Sequence, residues 1–62
     1  MTPTRLRACL ASIHWSQRGL AKILRTDERQ VRRWATGQYP VPEPIAAWLD
    51  RLATMMEANP PP

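Results

Sequence analysis

Arg29, Arg32 and Arg33 fall within one short stretch, Glu28-Arg29-Gln30-Val31-Arg32-Arg33-Trp34-Ala35-Thr36-Gly37. A guanidinium carries its N–H donors in a planar fork. It pairs through two bonds at once with a phosphate or with O6 and N7 of guanine. In a helix, residues three and four apart share a face. Arg29, Arg32, Arg33 and Thr36 then line one side, while Val31 and Trp34, with Ala35 beside them, line the other. A short helix of this kind suits a nucleic-acid partner. The competing reading is a solvated face that serves solubility alone.

The charge of the whole chain points the same way. Its 62 residues carry a formal net charge of +4. Residues 1–42 hold eight Arg or Lys against Asp27 and Glu28, whereas residues 43–62 hold only Arg51 against Glu43, Asp50 and Glu57. The basic surface is therefore expected on the first part of the chain. Other chemistry finds little support. His14 is the only histidine and Cys9 the only cysteine, so no disulfide and no metal-ligand set is expected. There is no Ser/His/Asp constellation and no glycine-rich phosphate loop, and a chain this short holds about a dozen core side chains. We therefore expect no enzyme, no cofactor and no metal. The basic face lacks the exposed stacking aromatics of single-stranded RNA readers. No apolar run reaches membrane-spanning length, and Arg5 and Arg7 interrupt any signal-peptide core. A cytoplasmic protein of a bacterium or phage is the expectation.

The helices that must position these residues can be placed from caps and periodicity. Met1 to Pro3 is expected as a short arm, with Thr4 capping a first helix over about residues 5–13. Leu6, Cys9, Leu10 and Ile13 recur at i, i+3, i+4 and i+7 and form its apolar face. Cys9 then lies buried and inert. His14 is expected as a loop or C-cap residue. Trp15 precedes the cap Ser16 and can staple against Leu20. The second helix spans 17–24, with Leu20, Ala21 and Leu24 inward and Arg18 and Lys22 outward. Gly19 costs about 1 kcal/mol relative to Ala inside a helix, and a close backbone approach to a helix or to DNA would explain it. Asp27 caps the third helix, 28–36, and with Gln30 has the form of a capping box. Gly37 stops that helix. A small residue at Ala21 lets the second and third helices cross near Val31, and Trp34 is expected in the core.

The joint pattern Gln17-x-x-Leu20-Ala21-x-x-Leu24, then six residues, then Val31-x-x-Trp34-x-x-Gly37 resembles the helix-turn-helix of the phage repressor and Cro family, the XRE-like group. The strict match covers residues 15 to 37. A looser one continues from Pro40 to Leu49, so roughly two-thirds of the chain is covered. Arg25 departs from the pattern, since the family usually has Gly in that turn. A left-handed Arg there costs about 1 kcal/mol, which a phosphate contact can offset. The resemblance implies a compact all-α, four-helix, lambda-repressor-like domain over residues 1–57. Its third helix would enter the major groove, and its second would lie across the backbone. Arg29 and Arg33 are expected on base edges, and Arg32 on base or phosphate. The resemblance adds Glu28, which can accept from cytosine N4 or act only as a favourable charge at the helix start. Gln17, Arg18, Lys22, Arg25 and Gln38 form the expected phosphate set. Tyr39 either joins them or packs as a lid on the core.

Pro44 suits the first turn of a last helix over 43–57. Ile45, Leu49, Leu52 and Met56 are expected to close the core. Trp48 and Met55 are then surplus, and a homodimer is expected with Trp48, Leu52, Met55 and Met56 at its seam. Residues 58–62, Ala-Asn-Pro-Pro-Pro, are expected to be a disordered or polyproline-like tail. A reader without further domains acts most economically by blocking polymerase. The expected function is a homodimeric repressor on an inverted-repeat operator in double-stranded DNA. Autoregulators of mobile elements, such as anti-CRISPR-associated regulators, are examples. The alternative is an antitoxin or other interaction module whose last helix holds a protein partner.

Overall fold

A computed structural model describes all residues, Met1–Pro62, as four α-helices with no strand. They are α1 (Pro3–Ile13), α2 (Gln17–Leu24), α3 (Glu28–Thr36) and α4 (Glu43–Ala58). α1 packs on both α4 and α3, and α2 packs on α3. No helix is long and apolar enough to cross a membrane.

The starts of the first three helices follow from small polar side chains. The Ser16 hydroxyl accepts from Gly19 N–H at 2.9 Å, and Asp27 Oδ1 accepts from Arg29 N–H at 2.8 Å. α1 begins earlier than residue 5. Thr2, not Thr4, is its cap, accepting from Arg5 N–H at 3.0 Å. Pro3 occupies the first turn, where its missing N–H costs nothing and its φ is pre-set. The expected N-terminal arm is thus part of the helix, and Met1 packs against the core. The capping box at α3 is only half formed. Gln30 makes no return bond, and the Arg29 guanidinium folds back onto Asp27 instead.

α1, α2 and α3 share one way of stopping. His14, Arg25 and Gly37 are left-handed, with φ of 61°, 55° and 84°. The next residue's N–H reaches back to a carbonyl of the helix: Trp15 to Leu10, Thr26 to Ala21 and Gln38 to Arg33. This satisfies carbonyls that the helix leaves free. Arg25 therefore adopts the strained conformation its place in the turn requires. At Gly37 a Cβ would also meet Pro3 Cγ at 3.1 Å. At Gly19 a Cβ would stand 3.2 Å from the capping hydroxyl of Ser16, and no other element comes close. Arg5 receives the same capping bond from Thr2 with its Cβ in place, so no packing inside the chain requires this glycine.

Leu6, Cys9, Leu20, Val31 and Leu49 are the largest fully buried side chains. Trp34 joins this core, its indole N–H without a partner. Val41, between two prolines, is a buried residue the sequence pattern did not single out. α4 is rotated relative to the expected face. Ala46, Leu49 and Ala53 are buried, Ile45, Trp48 and Leu52 are half-buried, and Met56 is exposed. The cause is the small size of alanine, which lets α4 lie close on α1 while longer side chains flank the contact. The same contact carries polar bonds. Arg5 donates to Asp50 at 2.7 and 2.9 Å, and Ser12 donates to Glu57 at 2.9 Å. Much of the acidic charge of α4 is thus spent on α1.

Candidate nucleic-acid interface

α3 is held by its buried side, Val31, Trp34 and Ala35. Its outward side presents Arg29, Arg32, Arg33 and Thr36 together. With Gln38 from the following loop they line a shallow depression that contains no apolar residue. Asp27, Arg29, Gln30 and Arg33 line a second one beside it.

Each arginine of this face has a different neighbour. Arg29 Nε lies 3.3 Å from Asp27 Oδ1 and its Nη2 lies 3.2 Å from Oδ2. These bonds hold the Asp27 carboxyl below the usual carboxylate range and raise the Arg29 guanidinium further. Arg32 stands 3.7 Å from Glu28 across one helical turn, beyond hydrogen-bond length and open to solvent, so the pair contributes little. The Arg33 guanidinium lies 5.7 Å from the centroid of the Tyr39 ring, a cation–π arrangement. Tyr39 is about half exposed, so it is not a lid on the core. It braces Arg33 from the outside.

The residues expected on phosphate are distributed around this face. Gln17 is half-buried at the start of α2, and Arg18, Lys22 and Arg25 are exposed and without an acidic partner. Gln38 adjoins the arginines directly. Glu28 is exposed in the first turn of α3. Two basic residues among the first 42 do not belong to the face. Arg5 is engaged with Asp50 and reaches Glu57 at 3.8 Å, and Arg7 donates to the Ala35 carbonyl at the end of α3. The cationic surface is therefore that of α2, the turn and α3, and α1 contributes none of it through these two side chains.

The expected seam is divided by the structure. Trp48 is not surplus: its ring lies tilted against Trp15 with centroids 5.8 Å apart, and both pack on the core, as does Leu52. Met55 and Met56 are exposed. With Ile13, Trp15, Leu52 and Asn59 they line an open apolar groove. The role of Trp15 here was not legible, because its partner lies 33 residues along the chain.

Comparison with protein-family models, with curated proteins and with solved structures finds no match.

Proposed function

We propose that this chain is a sequence-specific double-stranded DNA-binding regulator of transcription. In this reading α3 lies in the major groove and α2 across the backbone. The observation that carries it is the α3 face: three arginines, Thr36 and Gln38 around an apolar-free depression, mounted on a helix whose other side is buried. Arg29 and Arg33 read base edges, Arg32 reads base or phosphate, and Glu28 accepts from cytosine. Gln17, Arg18, Lys22, Arg25, Gln38 and Tyr39 hold phosphates. The pattern of residues 15 to 37, which resembles the phage repressor and Cro family, supports the same geometry. Two copies on an inverted repeat would occlude polymerase, which makes repression the mechanism. Met55 and Met56, with Trp48 and Leu52 behind them, form the seam.

The test is a binding titration on short duplexes across a salt series. The proposal expects an affinity that falls with salt at a log–log slope of roughly 3 to 5 per protomer, from about that many phosphates neutralised. Arg29→Ala with Arg33→Ala should remove preference among duplexes while leaving part of the salt-dependent binding. The exposed groove beside Met55 supports a second reading, an antitoxin or other protein-interaction module. That reading expects partner binding, and function, to survive the double arginine substitution.

A further inference from the structure

We propose that Asp27 is a specificity-determining residue, which holds Arg29 so that one guanidinium edge is spent and the other is presented to a single guanine. The inference rests on the DNA-binding reading above and names what one position of that site selects.

The geometry is a closed set of bonds. Asp27 Oδ1 accepts the backbone N–H of Arg29 at 2.8 Å, which anchors the carboxylate to the helix start. The same carboxylate accepts Arg29 Nε on Oδ1 and Nη2 on Oδ2. The Nε/Nη2 edge of the guanidinium is therefore occupied. The Nη1/Nη2 edge keeps its parallel pair of N–H donors, the pair that matches O6 and N7 of guanine. Arg29 remains the most exposed of the ion-paired arginines on this face, its side chain 75% accessible, so the free edge meets solvent and any ligand on the face.

The brace does two things. It fixes a long side chain before binding, so less freedom is lost on contact with a base. It also sets an acceptor-only group beside the donor fork. A carboxylate repels a phosphate oxygen, so Arg29 is poorly placed to act as a sequence-blind phosphate clamp. The neighbouring arginines differ on this point. Arg32 has no hydrogen-bonded acid, and Arg33 rests on the Tyr39 ring, which leaves its N–H donors unspent on a carboxylate.

The test compares the full chain with Arg29→Ala, Asp27→Ser and Asp27→Asn. A duplex pool selected by the unaltered chain supplies the binding site, and each of its guanines is then replaced singly by adenine. For the unaltered chain one guanine should carry a loss of at least about tenfold, and Arg29→Ala should abolish the loss at that position alone. Asp27→Ser keeps an oxygen to cap the helix but cannot reach the guanidinium. Its discrimination at that position should fall to about two- or threefold. Its binding to random-sequence duplex should stay equal or tighten, because a repelling charge is gone. Asp27→Asn preserves shape as well as cap, and should fall in the same direction even where Ser loosens the helix. Full discrimination in both Asp27 variants would overturn the inference and leave Asp27 as a cap only. So would an Arg29→Ala variant with an unchanged preference at every position. Failure of the unaltered chain to select any sequence would instead overturn the DNA-binding reading, and this inference with it.

Discussion

Replacing Gly19 by Ala tests whether the capping bond of α2 is the reason for that glycine. Alanine in a helix interior gains about 1 kcal/mol over glycine. Against this, the new Cβ would stand 3.2 Å from Ser16 Oγ, closer than an ordinary contact. The start of α1 has the same bond, Thr2 Oγ1 accepting from Arg5 N–H at 3.0 Å, with a Cβ present on Arg5. The Ser16 hydroxyl therefore has to give by only a few tenths of an ångström, and its bond to the N–H of residue 19 survives. Gly19→Ala alone should stabilise by about 0.5–1 kcal/mol. In a Ser16→Ala background, which loses a cap worth about 1 kcal/mol, the same substitution should stabilise by a similar amount. Urea denaturation of the four proteins, followed by helical circular dichroism, gives the coupling, expected below about 0.5 kcal/mol. A stabilisation seen only in the Ser16→Ala background would show that the cap and a side chain at residue 19 exclude each other, the opposite of this expectation. A fall in DNA affinity in Gly19→Ala would point to a close approach of the DNA backbone as the reason for the glycine.

Other consequences concern α3, the core and the groove. Gly37→Ala should destabilise by at least about 1 kcal/mol, since φ there is +84° and the Cβ would press on Pro3; the shift in urea midpoint measures it. Burial pushes the Cys9 thiol up, so its contribution is complete below the unfolded thiol value near 8.5. It is lost as pH rises through the higher folded value. The fall in melting temperature between about pH 8.5 and 10 should therefore be smaller in Cys9→Ala. Met55 is 62% exposed, so Met55→Glu should leave stability unchanged while shifting sedimentation towards monomer; an unchanged sedimentation profile would move the seam away from this groove.

The third helix and its frame were readable because each boundary is set locally. Ser16, Asp27 and Gly37 act within a few residues of themselves, and the apolar spacing of Leu6, Cys9, Leu10 and Ile13 repeats with the helical period. The start of α1 was misplaced because Thr2 and Thr4 are both able to cap, and Pro3 decides between them. The face of α4 was misplaced for a tertiary reason. Periodicity ranks Ile45, Leu52 and Met56 above Ala46 and Ala53, yet close packing on α1 favours the small residues. Trp48 was read as spare because nothing near it in sequence reveals Trp15 as its neighbour. On the candidate site, residue types and their shared face were legible. The neighbours of each arginine were not: Asp27 read as a cap, and its second role depends on the path of the Arg29 side chain. Arg7 counted as surface charge until its bond to the Ala35 carbonyl placed it elsewhere.

The central claim, recognition of DNA sequence by the α3 face, is tested most directly by selection from a random duplex library at about physiological salt. The bound pool is sequenced. It should hold an enriched inverted repeat with guanine or cytosine at fixed positions, its half-sites about one helical turn apart. Salt-dependent binding with no enriched motif would contradict sequence reading by Arg29 and Arg33. Absence of duplex binding would contradict the account as a whole.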